Sequence, residues 1–310
     1  MPREMSVVSP RSACPVCEKP IAAYDNIPVL SWLILGGKCR NCKTKISSRY
    51  ATVELLTGAL FALSFLAVLG HVPGVFQYVS DQCAFVAPVA STGTIDLRIL
   101  AAALKLCVLS FLLLGLVFTD AETQLLPDLL TKPGIVLGLA FSLFVPLLDF
   151  CIPAIDSWRL VSFANAAAGA ILGASVILGI ALLYEAIRGA EGMGRGDVKL
   201  MALIGAFLGL KLTVLVLLLA SLFGSLFGVL LILFVWFKRV RRRRKRNPKE
   251  PAAQARSRAW QSARLIPRYF PIPFGVFLGA AALCSAFWGM FLICKYAEFS
   301  QLPWLCRVLP

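Results

Sequence analysis

The hydrophobic positions of this chain fall into long runs that are separated by short polar stretches. From Ala51 onward these runs approach or exceed the roughly 20 residues that a helix needs to cross about 30 Å of hydrocarbon. The pattern predicts an all-α polytopic membrane protein. The predicted spans are 51–70, 97–119, 129–149, 160–188, 213–237 and 273–294.

A further apolar segment, 198–209, is shorter than the others. Alone it is too short for a standard crossing, but it continues through 210–212 into the next predicted span. This continuity predicts the short helix of a helical hairpin. With it, the chain has about seven predicted crossings.

The first fifty residues differ from everything after them. They contain eight Lys or Arg, four Cys and no apolar run long enough to span a bilayer. A secretory signal would need an apolar stretch of roughly seven to fifteen residues after a basic start, and residues 1–13 contain none. We therefore predict a small cytoplasmic domain over 1–50, followed by a membrane domain over 51–310.

Composition and charge support this organisation. Hydrophobic residues make up 59% of the chain, charged residues only 15%, and the net charge is +15, which excludes an ordinary soluble enzyme. With seven crossings and a cytoplasmic amino terminus, 25 of the 31 Lys and Arg lie in the predicted cytoplasmic segments and five lie outside. By the positive-inside rule, this excess of Lys and Arg indicates how the chain is oriented in the membrane, and the carboxyl terminus is predicted outside. Because the positive charge is explained by orientation, no nucleic-acid partner is expected.

The densest basic run, 238–246, directly follows the aromatic pair Trp236 and Phe237 at the end of a predicted span. Such a run is typical of a stop-transfer signal that faces membrane lipid. The following stretch, 247–264, is rich in Ala, Arg, Gln and Ser and is predicted to be flexible. We therefore expect a basic cytoplasmic loop over 238–268.

Two CxxC pairs lie in the amino-terminal domain, at Cys14 and Cys17 and at Cys39 and Cys42. Four thiolates at this spacing predict a closed, structural zinc site of the zinc-ribbon kind. A redox dithiol or unligated thiols are the alternatives. The remaining six cysteines are interpreted as packing residues, although those of the outside segments could form a disulfide: Cys83, Cys151 and Cys306.

Acidic residues beside apolar spans are costly, so their positions are informative. Asp120 and Asp197 each lie where a span meets the predicted cytoplasmic face. Gly192, Gly194 and Gly196 precede Asp197 and would allow close helix approach there. The alternatives without a catalytic role are simple helix capping by Asp197 and a solvated carboxylate at Asp120.

Two carboxyls that share one site cannot easily both ionise, so one keeps a proton while the other acts as a base. Such a pair can hydrolyse a peptide bond. The single histidine, His71, is predicted outside, so a Ser-His or Cys-His site on the cytoplasmic side would lack its usual base. A nucleotide loop is disfavoured because no strand precedes these glycines and no GK[ST] follows them.

Taken in order, these motifs resemble the type IV prepilin peptidases, the bifunctional leader peptidase/N-methyltransferases of the bacterial inner membrane and members of the GxGD class of membrane aspartic proteases. The resemblance covers nearly the whole chain. It is carried by Cys14-Pro15-Val16-Cys17, residues 26–32, residues 37–42, Arg49-Tyr50, residues 53–56, residues 120–128, Gly192-Met193-Gly194-Arg195-Gly196-Asp197-Val198-Lys199 and Ile272-Pro273-Phe274-Gly275.

The resemblance implies that Asp120 and Asp197 are the catalytic aspartates. It implies type IV prepilins or type II secretion pseudopilins as substrates, cleaved on the cytoplasmic side after the Gly that ends a basic leader. It also implies methylation of the new amino terminus with S-adenosylmethionine as donor. Four acidic residues are candidates for contact with the leader: Glu54, Glu122, Asp128 and Glu191.

The sequence departs from the family pattern in two places. Family members usually begin with an apolar helix before the first CxxC, whereas Cys14 follows thirteen residues here, which fits seven crossings in place of eight. The basic segment 238–268 is also longer than the family norm. Two rival interpretations remain: a transporter with functional carboxylates, or a membrane-tethered zinc adaptor.

Overall fold

The computed structural model describes residues 13–69, 97–145, 158–189, 194–246, 251–263 and 273–300. The chain divides into two compact units, Met1–Leu63 and Ser64–Pro310. In the described residues the regular structure is helical, apart from two isolated β-bridges in the first unit. The predicted all-α fold is therefore confirmed.

The first unit has little regular structure. A single 3₁₀ turn at Ala23–Asn26 precedes the short helix α1, Leu30–Ile34, and the long helix α2, Ser48–Val68, begins in this unit. The predicted boundary after residue 50 lies inside α2 and stays a prediction. So small a unit has little apolar core, which is why its other stabilising contacts matter.

Every predicted apolar segment contains a helix. Five helices of the described chain are long and apolar enough to cross a membrane. The helices after α2 are α3, Leu97–Thr123; α4, Asp128–Phe144; α5, Trp158–Arg188; α6, Arg195–Arg246; α7, Ala252–Ala263; and α8, Phe274–Phe299.

Helix α6 is two helices in succession, because Gly209 interrupts it with φ 80° and ψ −178°. The two arms reverse direction at this residue. A methyl group on Gly173 of α5 would lie 3.1 Å from both the Met201 carbonyl oxygen and the Thr213 side chain. These residues would be about 18 Å apart along one straight helix. The predicted hairpin, with its short helix over 195–208, is therefore present.

The backbone at this reversal is satisfied by side chains. Asn165 of α5 accepts a hydrogen bond from the Leu210 amide at 3.0 Å, and the Thr213 hydroxyl donates to the Gly209 carbonyl at 2.5 Å. Non-helical backbone inside a membrane protein is tolerated where such partners exist. Only glycine adopts this combination of φ and ψ readily.

The first arm of α6, 195–208, is the centre of the second unit. Residues 203–208 are all buried, which is the pattern of a helix that is covered on every side. Glycines of the surrounding helices permit this approach. A methyl group on Gly134 would overlap Leu203, one on Gly138 would lie 2.7 Å from the Phe207 ring, and Gly169 lies against the backbone of the hairpin.

The prediction of a flexible loop after the basic run is wrong. The second arm of α6 stays helical through Arg246, and α7 follows at Ala252–Ala263. Ala, Arg and Gln are strong helix formers, and three alanines at i, i+4 spacing are buried on one face of α7. These are Ala255, Ala259 and Ala263.

The cysteines outside the zinc motif have two different environments. Cys107 is buried and reduced, and Cys284 is partly buried and reduced, as expected for packing residues. Cys294 is disulfide-bonded, so its interpretation as a packing residue is wrong. Cys83, Cys151 and Cys306 lie outside the described residues, as does His71.

The contact between α5 and the hairpin gives a stability prediction. A methyl group on Gly169 would lie 2.7 Å from the Gly209 carbonyl carbon and 2.8 Å from the Gly205 oxygen, so Gly169→Ala must push two backbones apart. We expect a loss of about 1–3 kcal/mol, the usual cost of overpacking. Unfolding by SDS titration in mixed micelles measures it.

Gly179→Ala is the matched control, because nothing lies within 4 Å of the added methyl group on the same helix. Replacing a helical glycine at an open site is expected to be neutral or to stabilise by about 0.5–1 kcal/mol. Equal destabilisation by both substitutions would contradict the proposed importance of the α5 contact.

Candidate active site and metal centre

The four cysteines of the first unit lie in two copies of the same turn. In each copy the first cysteine amide donates to the carbonyl five residues later, from Cys14 to Lys19 and from Cys39 to Thr44. The residue after each second cysteine has a positive φ, 55° at Glu18 and 58° at Lys43. Each turn thus presents its two thiols toward the same point.

The two turns bring all four sulfur atoms together. They lie within 4.8 Å of one another, and the Cys14 and Cys42 sulfurs are 3.7 Å apart. Four sulfurs at 2.3 Å around one zinc ion are separated by about 3.8 Å. The geometry therefore fits tetrahedral zinc.

Hydrogen bonds favour the thiolate form of two of these cysteines. The amides of Cys17 and Val16 hydrogen-bond the Cys14 sulfur and lower the pKa of its thiol. Contacts with the Thr44 hydroxyl and amide lower the pKa of Cys42 to about 6. A zinc ligand must be deprotonated, so these contacts suit Cys14 and Cys42 to metal binding. A hydrogen bond to the Lys19 backbone opposes the rise at Cys17, but desolvation and the neighbouring thiols raise the pKa of that thiol to about 11.

Polar contacts brace the segment between the two turns. Arg40 donates two hydrogen bonds to Asp25, at 2.6 and 2.7 Å, and this contact lowers the pKa of the Asp25 carboxyl. The Trp32 indole donates to the Ile46 carbonyl at 3.2 Å. Together they tie the middle of the unit to the second cysteine turn.

Asp120 and Asp197 come from different helices of the second unit. Asp120 lies in the last turn of α3, and Asp197 is the third residue of α6. Both side chains are buried, with 5% and 8% of each residue exposed. Burial of two carboxylates at adjacent helix ends is costly unless they interact with each other or with a ligand.

The two carboxyl groups meet at the start of α8. A methyl group on Gly275 would lie 2.7 Å from Asp120 Oδ2 and 3.3 Å from Asp197 Oδ1. The Val276 amide donates to Asp120 Oδ2 at 3.1 Å. The structure therefore brings both predicted aspartates to one point, with a backbone amide beside them.

Neighbouring contacts hold the ends of these helices in place. Gly196 lies against Leu126, since an added methyl group would be 3.1 Å from its side chain. Asp128 forms ion pairs with Lys199 of α6 and with Lys132, the latter at 2.9 Å. These contacts fix the segment between α3 and α4 beside the start of α6.

The four candidates for leader contact have different environments. Glu54 accepts a hydrogen bond from the Val29 amide at 2.9 Å, and Asp128 is paired with two lysines. Glu122 is exposed, two residues after Asp120. Glu191 lies outside the described residues. The structure therefore gives Glu54 and Asp128 structural contacts of their own.

Sequence reasoning assigned no role to Gly275 and Val276. A backbone amide leaves no side-chain signature, and a glycine at the start of an apolar run usually needs no special explanation. The only available signal was the motif Ile272-Pro273-Phe274-Gly275 before the last span, because proline is common where a helix begins.

Paired buried carboxylates beside a backbone amide can perform acid and base chemistry. One oxygen can accept a proton from water while the partner donates one to a carbonyl oxygen. The fold and the site thus define a polytopic membrane protein with a carboxylate pair and a tetracysteine unit that could hold zinc.

The chain belongs to the type IV leader peptidase family. The model of that family matches residues 107–229, and the model described as the Bacterial Peptidase A24 N-terminal domain matches residues 1–68. The predicted family resemblance is confirmed. No solved structure matches the chain.

Curated relatives agree with this assignment. The chain is 38% identical over 211 residues to a prepilin leader peptidase/N-methyltransferase of Neisseria gonorrhoeae, a match that covers 67% of this chain and 58% of the relative. It is 35% identical to one from Aeromonas hydrophila, over 92% of this chain and 73% of the relative. The match to the Pseudomonas aeruginosa protein is 31% identical and covers 95% and 77%.

The tetracysteine geometry predicts metal loss in a double variant. Replacing Cys14 and Cys39 by serine removes one thiolate from each turn, so purified protein is expected to lose its zinc and the first unit to unfold more easily. Metal analysis by mass spectrometry and limited proteolysis of the amino-terminal region measure the two effects. Metal binding contributes on the order of 10 kcal/mol to folding in small zinc domains.

Cys107→Ser provides the control, because this cysteine is buried in the other unit. It should leave the zinc content at one ion per chain. Purified wild-type protein without zinc would refute the metal assignment.

Proposed function

We propose that this chain is a membrane aspartic endopeptidase that removes the basic leader peptide of type IV prepilins or type II secretion pseudopilins. Cleavage follows the Gly that ends the leader, on the cytoplasmic side. The observation that carries the proposal is the meeting of Asp120 and Asp197 at Gly275. Membership of the leader peptidase family and the names of its relatives support it.

The arrangement suggests how the two carboxyls divide the work. Because they lie close together in a buried site, one stays protonated while the other is ionised. The ionised carboxyl takes a proton from water, and the protonated one hydrogen-bonds the scissile carbonyl as the water attacks. The proton taken from water then passes to the leaving amine. This sequence requires no covalent intermediate with the enzyme.

Gly275 has a specific part in this mechanism. Any side chain there would enter the space between the two carboxyl groups, since even a methyl group would lie 2.7 Å from Asp120. Leaving that space open allows water and a peptide carbonyl to approach both acids. The Val276 amide orients the Asp120 oxygen that it contacts.

We further propose that the amino terminus exposed by cleavage is methylated with S-adenosylmethionine as donor. The support is the name shared by the relatives, prepilin leader peptidase/N-methyltransferase. We assign no residues of this chain to the methyl donor. Zinc at Cys14, Cys17, Cys39 and Cys42 would be structural, because four thiolates leave no coordination position for a substrate.

The proposed orientation places the aspartates and residues 1–50 in the cytoplasm and the carboxyl terminus in the periplasm. Along α8, Cys294 lies about 28 Å from Gly275, close to the thickness of the hydrocarbon core. Cys294 is disulfide-bonded, and disulfides persist in the oxidising periplasm. The four reduced zinc-site thiols suit the cytoplasm.

The two rival functions fit this arrangement less well. A transporter would be expected to place its carboxylates along a path through the bilayer, whereas Asp120 and Asp197 lie together at helix ends. An adaptor anchored by its helices would have no use for a pair of buried carboxyls. A peptidase accounts both for the position of the two carboxyls at helix ends and for their burial as a pair.

The leading test replaces each aspartate with its isosteric amide. Asp120→Asn and Asp197→Asn each remove a proton-transfer group, so leader removal from a purified prepilin is expected to fall by at least about 100-fold, the lower range for a positioned acid or base. Mass spectrometry of the product measures it. Glu298→Gln, which removes an exposed carboxylate about 35 Å along α8 from Gly275, should retain wild-type activity. Wild-type rates in either aspartate variant would overturn the assignment.

The same assay tests methylation. With S-adenosylmethionine present, the mature product of the wild-type protein is expected to carry one additional methyl group at its amino terminus. Cleavage without methylation under these conditions would overturn the methyltransferase proposal and leave the peptidase intact.

Orientation is tested with a membrane-impermeant maleimide on intact cells. We expect Glu298→Cys, near the end of α8, to be labelled in intact cells. We expect Arg244→Cys, near the end of α6, to be labelled only after permeabilisation. The wild-type chain gives the background from native cysteines, and the reverse labelling pattern would contradict the proposed orientation.

A further inference from the structure

The end of α6 carries a surface that neither the fold nor the proposed catalysis requires. A furrow of about 380 Å³ runs along this helix, a volume within the range of small-molecule sites. We call it the basic furrow. It is lined by Phe234, Phe237, Lys238, Arg241, Arg242 and Lys245.

The furrow has two chemically different parts. Its first part is aromatic, from Phe234 and Phe237, and its second part carries four cationic side chains. Lys238 joins the two parts, since its ammonium lies 5.8 Å from the centre of the Phe234 ring. The spacing of the lining residues places them all on one face of the helix.

The opposite face of this helix is occupied by α7. The Trp236 indole donates to the Arg256 carbonyl at 3.2 Å, and its ring meets Trp260 edge to face at 6.1 Å. Because α7 packs on that face, the furrow is turned away from it. The contact with α7 therefore leaves the furrow accessible on the other face of the helix.

The position of the furrow relates it to the membrane. The apolar part of the second arm, 210–237, is about 42 Å long, which matches the 40–45 Å of a bilayer with its headgroup layers. Phe234 and Phe237 therefore lie at the interface, where aromatic residues are enriched. The cationic side chains begin at the level of the lipid phosphates.

The charge of the furrow favours an anionic occupant. Neither the second arm of α6 nor α7 contains an Asp or Glu, so neither helix supplies a counter-charge of its own. A ligand with a phosphate group and an adjoining apolar part would match both halves of the furrow. Arginine and lysine side chains near a membrane surface favour such lipids.

We propose that the basic furrow binds an anionic phospholipid, with the headgroup phosphate at Lys238, Arg241 and Arg242 and the upper acyl chain against the two phenylalanines. This site is independent of the carboxylate pair and of the orientation proposed above. A stop-transfer signal needs only a high density of positive charge, whereas this site is formed by the residues on one face of the helix.

The test compares two triple variants that lose the same charge. Lys238, Arg241 and Arg242 are replaced by glutamine in the furrow variant. Arg239, Arg244 and Arg246, which lie in the same run but do not line the furrow, are replaced in the control. Native mass spectrometry of the full chain in neutral detergent counts bound phosphatidylglycerol, with phosphatidylcholine as the uncharged counterpart.

We expect the wild type to retain phosphatidylglycerol and not phosphatidylcholine. The furrow variant is expected to bind about 100-fold more weakly, since each basic side chain near an anionic group is worth about five-fold in affinity. The control variant should stay within about five-fold of the wild type, the effect of roughly one such charge. Thermal unfolding in detergent checks that both variants remain folded.

Equal losses in the two variants would overturn the proposal, because they would mean that charge alone attracts the lipid. Displacement of the lipid by millimolar inorganic phosphate would also overturn it, because the aromatic half would then contribute nothing. Tighter binding of a short RNA than of phosphatidylglycerol would assign the run to nucleic acid instead. Weaker lipid retention after Phe234→Ser, with phosphatidylcholine still unbound, would support the acyl contact.

Discussion

The backbone contact between α5 and the reversal of α6 is the constraint on which the membrane unit depends. A methyl group on Gly169 or Gly205 would collide with the facing backbone, and Gly209 has a positive φ that residues with a side chain rarely adopt. This approach lets a helix of fourteen residues lie buried among longer ones. Because that short helix begins with the Asp197 turn, the glycine contact also sets the depth at which this carboxylate meets Asp120.

The two units use different physical means to reach a fixed structure. The membrane unit relies on glycine contacts and on side chains that satisfy the broken backbone at Gly209, because hydrocarbon offers no alternative hydrogen-bond partners. The amino-terminal unit has too little apolar core to be stabilised by packing alone. Its cysteine turns and polar contacts, such as the hydrogen bonds from Arg40 to Asp25, stabilise it instead. One chain thus contains a unit organised by close packing and another organised by cysteine turns and polar contacts.

Much of the fold could be predicted from residue patterns. Hydrophobic runs indicated the spans, the short run 198–209 indicated the hairpin, and the spacing of Cys14 to Cys42 indicated a four-cysteine cluster that could hold zinc. The acidic clusters selected the two aspartates because charged residues beside apolar spans are rare enough to be informative.

The failures have specific physical causes. Composition alone does not reveal the helix at 252–263, which depends on the i, i+4 spacing of its buried alanines. The disulfide of Cys294 has no local signal, because the spacing of the cysteines does not identify which two of them pair. The role of the Val276 amide had no side-chain signal, and the Glu54 contact with Val29 joins residues too far apart in sequence for local reasoning.

The cysteines of this chain are in opposite chemical states. The amino-terminal set must remain reduced to hold metal, whereas Cys294 near the other end is oxidised. No single redox condition suits both. A strong reducing agent protects the metal centre and opens the cross-link, and an oxidant does the reverse. Handling of the isolated protein therefore has to meet the two requirements separately.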